Sequence, residues 1–335
     1  MIRHVVLWIL LVCLVCPFQG LAEQGDIRDT VPWPELVEDP KTGAGFLSEG
    51  EYCLFDSDMG LYRYVSDTLC VEIVRRQTTK PKRTWYEAEI YAKDGTIFQA
   101  LPYSYEKRMT SLAYPYRIAR EHKTVFAING DFSHLRISKK AKPGILIRGG
   151  EIVSNNTGTK NRKQFPNLDT LAIFPDGRMQ TFWSDDLTAE EYVEMGAEDV
   201  LAFGPLLIKD GVLNDSVLDR YGRENAQRTA IGMVEPGHYF AIMMEGRHNG
   251  SKGCNVRYMG ERLLELGCTE ALNLDGGQSS AMVFMGYQIC KVVNSSGVTC
   301  SARRAAEILG IGTSDYVAGD EAKMAGPGVN GLLIP

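Results

Sequence analysis

The chain has 335 residues, of which 44% are hydrophobic and 23% charged, an ordinary globular composition that excludes collagen-like, coiled-coil and wholly disordered architectures. Lys and Arg number 36 against 42 Asp and Glu, a net charge of −6 with no basic block, which argues against nucleic acid as a partner. The length is enough to bury a sizeable core without help from metals or assembly.

Met1-Ile2-Arg3-His4 is a short cationic start, and the apolar run from Val5 to Cys16 is too short to span a bilayer as a helix. Gly20 and Ala22 are small residues placed for a cut ahead of Glu23, so residues 1–22 read as a cleaved secretory signal. The alternative, an uncleaved anchor, needs a longer run or stronger flanking charges. Cys13 and Cys16 each follow Val, where a lipid-attachment site wants a small residue, which favours release over lipidation. The expected location is therefore secreted or cell envelope, with no stable membrane insertion after cleavage.

Cys53, Cys70, Cys254, Cys268, Cys290 and Cys300 remain, and an even number in an exported chain suggests disulfides. The mature part has no Cys-x-x-Cys pair and no His-Glu-x-x-His, so neither a redox motif nor a zinc site is indicated. No cofactor is implied, and a bound cation is left open. A helix over Val256–Leu266 would hold Cys254 and Cys268 about 20 Å apart, too far to bridge. Cys53 with Cys70 and Cys290 with Cys300 are the easier local bridges, with the connectivity open.

Residues 23–50 mix Pro, Gly and acidic residues without periodicity, which suits a linker or extended arm. Strand patterns rich in Tyr, Val and Ile follow at Leu61–Ser66, Cys70–Arg76 and Thr84–Ala92, then Thr96–Phe98 after Asp94-Gly95. Tyr116–His122 suits a helix. Hairpins are expected over Ile145–Val153 around Gly149-Gly150 and over Leu171–Phe182 around Asp176-Gly177. Thr188-Ala189-Glu190-Glu191 has capping-box spacing and starts a second helix. Two further hairpins are Leu206–Leu213 and Thr229–Met244. A helix from Asn255 stops at Gly267 and feeds the buried strand Ala271–Asp275; Ala281–Met285 and Ala306–Ile311 also read as strands. The pattern predicts an α+β fold: a mixed, hairpin-rich β-sheet with a few packed helices in a single main domain. The expected divisions are signal 1–22, arm 23–50, an N-terminal β-rich region 51–115 packed on the main domain, main domain 116–315, and tail 316–335.

Three apolar strands run directly into polar residues and Gly. Val125–Ile128 meets Asn129-Gly130-Asp131-Phe132, Ala241–Met244 meets Glu245-Gly246-Arg247, and Leu272–Leu274 meets Asp275-Gly276-Gly277-Gln278-Ser279-Ser280. Strand ends hold side chains in fixed positions and Gly lets backbone approach a ligand, so three such ends can line one cleft. Taken singly, each is equally ordinary turn chemistry.

In order along the chain, Asn129-Gly130-x-Phe132, Phe203-Gly204-Pro205-Leu206-Leu207 with Asp210-Gly211, Arg228-Thr229-Ala230-Ile231-Gly232, Glu245-Gly246-Arg247 with Gly250-Ser251 and Gly253, and Asn273–Ser280 resemble the phosphodiester glycosidase family over about residues 124–313. The resemblance implies hydrolysis of a sugar-1-phosphodiester (GlcNAc-1-phosphodiester-like) in an extracellular or envelope glycan. The sugar is split from a phosphate that stays on its other alcohol, and the partner is a carbohydrate or glycosyl-phosphate substrate. Arg228 suits the anionic oxygens, with Arg247 second. Gly276, Gly277, Ser279 and Ser280 can supply neutral donors, and Asn129, Gly130, Asp131 and Thr229 complete the expected binding set.

Cleavage at an anomeric carbon is usually helped by two carboxylates, here Asp275 first and Glu245 second. Because phosphate is already a fair leaving group, one carboxylate can suffice, as nucleophile or as base for water. Family members usually carry Asp where this chain has Glu245 and Gly where it has Gln278. His134, His248, Arg303 and Arg304 lie near motif residues and are read as solvated or surface-paired. Two other functions stay open: a non-catalytic binding module for phosphate-bearing glycans, and a metal-assisted phosphodiesterase on the same scaffold.

Overall fold

The computed structural model describes residues 26–93, 95–107, 110–130, 144–156, 168–219, 221–319 and 330–332. The signal segment lies outside them, as do Asp131 and His134. The chain divides into Met1–Pro32, described only from Asp26 onward, and Trp33–Pro335, which carries all the strands below.

In chain order the strands begin with β1 (Val37–Glu38), β2 (Gly45–Phe46), β3 (Tyr52–Asp56), β4 (Leu61–Val65), β5 (Leu69–Thr79), β6 (Lys82–Ala92), β7 (Gln99–Pro102) and β8 (Thr124–Asn129). Next come β9 (Gly144–Arg148), β10 (Glu151–Asn156), β11 (Asp169–Ile173), β12 (Met179–Phe182), β13 (Asp199–Phe203), β14 (Leu206–Lys209), β15 (Val212–Leu213), β16 (Arg228–Glu235) and β17 (His238–Met244). The last are β18 (Glu270–Leu274), β19 (Met282–Phe284), β20 (Tyr287–Gln288), β21 (Val292–Val293), β22 (Thr299–Cys300), β23 (Glu307–Thr313) and β24 (Asn330–Leu332). The described helices are α1 (Pro115–Glu121), α2 (Ala189–Glu194), α3 (Asp215–Leu218) and α4 (Val256–Glu265).

Ten strands form the main sheet in the order β15-β14-β18-β16-β17-β6-β5-β4-β3-β24. The strands of 51–115 are thus continuous with the motif-bearing half: β6 pairs with β17 from His238↔Tyr91 to Met244↔Trp85. A five-stranded sheet, β20-β19-β8-β23-β7, shares the principal core with it; Phe126, Ile128, Phe284 and Leu309 pack there with Ile73, Ile231 and Leu272. A second five-stranded sheet, β10-β9-β13-β11-β12, carries α2 through Tyr192 and Ala189. Arg148 of that sheet and Glu307 of β23 form a fully buried two-pronged ion pair, with Nε–Oε2 at 2.9 Å. On the other face of the main sheet, α4 buries Val256, Met259 and Leu263 against Ile208, Ala230 and Ile242. Arg262 ties it to Glu87 of β6 at 2.9 and 3.0 Å.

The expected hairpins form where their turns allow positive φ. Gly149 and Gly150 (φ +59° and +74°) join β9 to β10, and Asp210 and Gly211 (φ +52° and +74°) join β14 to β15. The capping box forms: Glu191 N–H donates to Thr188 Oγ1, and Thr188 N–H to Glu191 Oε2 at 2.7 Å. Asn255 caps α4 by accepting from Tyr258 N–H. Thr96–Phe98 does not form the strand expected of it; pairing begins at Gln99, against Gly310 of β23. Nor is the 23–50 segment only an arm, because β1 pairs with β2 and Phe46 is fully buried against Val65 and Cys70.

The expectation of disulfides is corrected: the six cysteines from Cys53 to Cys300 are all free thiols. Cys53 and Cys70 lie on strands either side of β4, two strand spacings or about 10 Å apart, beyond the roughly 7 Å limit for a bridge. They also belong to different core clusters. Cys290 Sγ accepts from Met282 N–H at 3.3 Å, and the Cys300 thiol is engaged by the Gln278 side chain.

Candidate active site

Sheet register brings the three polar strand ends together. Arg228 opens β16 opposite Met244, the last residue of β17, and Thr229 pairs with Leu274, the last residue of β18. Glu245 and Asp275 therefore follow directly on the two strands flanking Arg228. Asn129 enters from the other sheet: its Nδ2 donates to Asp275 O at 2.9 Å and its Oδ1 accepts from Ala281 N–H at 2.9 Å. It holds both ends of the 275–281 loop. Gly130 is buried beside the Glu307 backbone.

The glycines here serve close packing. A Cβ on Gly276 would lie 2.9 Å from Gln227 O, one on Gly246 2.9 Å from Gln227 N, and one on Gly253 2.4 Å from Ala226 O. Gly277, at φ +62°, spends its N–H on Gln227 O at 2.9 Å, so it is not the free donor the sequence suggested. Gln227 is the anchor, fully buried and exchanging two hydrogen bonds with Val293 at 2.8 and 2.9 Å. No motif marked it; a polar residue just before an apolar strand carries little signal by itself.

Arg228 is the central feature. Its guanidinium donates only to carbonyls, Glu224 O at 3.0 Å, Gly222 O at 3.3 Å and Cys254 O at 3.4 Å. Among the described residues no carboxylate pairs with it. Burial is the main reason its pKa is lowered; the nearby Glu224 charge opposes that shift, and the Arg247 charge adds to it. Its Nη1 would be 3.7 Å from a Cβ on Gly276, so the cation borders the Asp275-Gly276-Gly277 loop. Arg247 is exposed, holds a left-handed backbone at φ +62°, and also has no acidic partner among the described residues. Two cations close enough to disfavour each other, neither in an ion pair among the described residues, suit an anion.

Glu245 is committed differently. It is buried, with Oε1 accepting from Lys291 N–H at 2.7 Å and Oε2 facing His248 Nε2 at 3.1 Å. Because Gly250 N–H donates to His248 Nδ1 at 3.0 Å, the imidazole carries its proton on Nε2 and gives it to Glu245. Ser251 Oγ donates to Glu245 O at 2.7 Å and accepts from Thr84 N–H. His248 is therefore a structural partner rather than a solvated residue. The Thr229 and Ser280 hydroxyls are fully buried without hydrogen-bond partners among the described residues, and Ser279 is nearly buried in the loop.

A family model described as phosphodiester glycosidase matches residues 122–312, more than half of the chain and all of these elements. The chain belongs to the phosphodiester glycosidase family. Over 209 residues the chain is 25% identical to the SPbeta prophage-derived uncharacterized protein YomE of Bacillus subtilis (strain 168), covering 59% of this chain and 31% of that protein. It thus spans about a third of that curated relative's length. The catalytic domain of zebrafish N-acetylglucosamine-1-phosphodiester alpha-N-acetylglucosaminidase, auto-inhibited by its pro-peptide, matches with a TM-score of 0.58 at 19% identity, over 73% of this chain and 84% of that one. At that identity the likeness concerns the fold, the expected α+β architecture.

Among the described residues no helix is long and apolar enough to cross a membrane. A cavity of about 350 Å³ lies at the other end of β8, lined by His122, Thr124, Gly312 and Tyr64 among others, and is separate from the Arg228 site.

Proposed function

We propose that the protein is an exported hydrolase that splits a sugar-1-phosphodiester, releasing the sugar and leaving a phosphomonoester on the other alcohol. The observation that carries this reading is Arg228: a mostly buried guanidinium, in no ion pair among the described residues, bordering the Asp275 loop. A phosphodiester brings one negative charge, and Arg228 Nη1, whose N–H groups meet no carbonyl among the described residues, is left to donate to its oxygens. Arg247 adds a second positive charge. Held there, the diester presents its anomeric carbon to the Asp275 carboxylate, which attacks it or takes a proton from the attacking water. The C–O bond breaks toward phosphate, whose developing charge Arg228 stabilises. Glu245, with both oxygens engaged, positions the 247–251 loop and the Lys291 backbone. Export is proposed from the first 22 residues alone.

The test is release of GlcNAc from a GlcNAc-1-phosphodiester by the purified protein. We expect turnover in the wild type and its loss in Asp275→Asn, with the melting temperature retained. Binding of the diester without release would make the protein a glycan-binding module instead. Release of a sugar phosphate, stopped by chelators, would make it a metal-assisted phosphodiesterase.

A further inference from the structure

Next to the proposed site runs a stack of two aromatic rings between two cations. Helix α1 leads through His122 and Lys123 into β8, so its first turn lies at the Asn129 end of the sheet. Ala113 and Ala305 exchange backbone hydrogen bonds at 2.8 and 3.0 Å, which sets Tyr114 beside Arg304. The Arg304 guanidinium lies 5.1 Å from the Tyr114 ring centroid. Tyr114 and Tyr116 stack at 5.6 Å with an interplanar angle of 6°, and Arg120 lies 5.0 Å from Tyr116. Arg120 is buried and donates to Gly286 O at 2.9 Å, so the stack is anchored within the protein and opens to solvent at Arg304. One residue earlier, Arg303 N–H donates to Gln278 O at 2.8 Å, joining this segment to the Asp275–Ser280 loop.

We propose that Arg304, backed by Tyr114, is a specificity-determining subsite for the alcohol portion of the substrate, and that this portion carries its own anionic group. The proposal rests on the hydrolase reading above. Elsewhere Arg257 takes Asp215, Asp219 and Glu261, and Arg262 takes Glu87 and Glu265, while Arg75 and Arg83 donate to backbone carbonyls. Arg303 and Arg304, like Arg228 and Arg247, form no ion pair with a carboxylate among the described residues. A guanidinium lying on a ring keeps its in-plane N–H edge free, which suits a carboxylate or phosphate rather than a neutral hydroxyl. The rings keep Arg304 from collapsing elsewhere.

Three GlcNAc-1-phosphodiesters test this, with methanol, glycolate or glycerol 3-phosphate as the alcohol, each paired with a non-hydrolysable phosphonate analogue for titration calorimetry. The wild type should favour at least one anionic alcohol over methyl by about tenfold or more in kcat/KM, mainly through KM. In Arg304→Gln and Tyr114→Leu that ratio should fall toward one, with Arg304→Lys between. Preference for glycolate identifies a carboxylate partner, and preference for glycerol 3-phosphate a phosphate. Cleavage of all three diesters with equal kcat/KM, or a ratio unmoved by Arg304→Gln, overturns the subsite and leaves the hydrolase reading standing. If nothing is cleaved, the hydrolase reading fails and the phosphonates decide the subsite: tighter binding of an anionic analogue, lost in Arg304→Gln, upholds it, and equal binding rejects it.

Discussion

Arg228 carries its charge to a place where carbonyl dipoles hold it and no carboxylate among the described residues forms an ion pair with it. Lys cannot reproduce a fork that serves three carbonyls and still faces a diester, so Arg228→Lys should lower kcat/KM on the order of 10–100-fold, checked by steady-state kinetics. Glu245 and Asp275 should separate by phenotype. Glu245→Gln keeps the acceptor for Lys291 N–H but loses the charge facing His248, and should cost about 1–3 kcal/mol of stability with turnover only reduced. Asp275→Asn should abolish turnover at unchanged stability; denaturant melts and kinetics on both variants distinguish the two roles. Gly253 has no room for a side chain at φ +79°, and Gly253→Ala should cost about 2–3 kcal/mol in the same melts.

Between elements, stability comes from buried faces and a few paired charges. The Arg148–Glu307 pair fastens two sheets, and Glu307→Gln should destabilise the fold by about 3–5 kcal/mol, because it strands a buried guanidinium. Thiols report on the same packing. Burial pushes Cys53, Cys70, Cys254, Cys268 and Cys290 up to about 12, while Cys300 at a strand edge is half-buried and raised less securely out of reach of solvent. Iodoacetamide at pH 8 should therefore label Cys300 first and the other five only on unfolding, read by mass spectrometry. The sign on stability follows. Between about pH 9 and 12 the unfolded chain ionises these five thiols and the native state does not, so stability falls as pH rises through that range, read by denaturant melts. Most element boundaries were legible in advance, since alternation, Asp-Gly turns and the Thr188 capping box are local signals. The Thr96–Phe98 strand was misplaced because β23 supplies pairing only from Gln99, a partner more than two hundred residues away.

At the scale of the molecule, the motif-bearing half does not stand alone. Strand β6 covers the whole edge of β17, and Thr84 and Lys82 at its start bind the 245–252 loop. The isolated segment 116–315 should therefore show no cooperative unfolding transition by circular dichroism, because it exposes that edge and the core face of β17. Free thiols also mean that a reducing agent should leave the melting temperature of the full chain unchanged. What the amino-acid order determined by itself was most of the long strands, three of the helices, the hairpin turns and the family resemblance, because periodicity, positive-φ turn residues and short motifs act over a few neighbours. Tertiary structure alone decided that six cysteines stay apart, that the motif glycines pack on Gln227, that Glu245 is held by His248 and Lys291, and that Arg228 is held by carbonyls. Each of these depends on which distant strands become neighbours, and that is set by the register of buried faces across the whole sheet rather than by any local pattern.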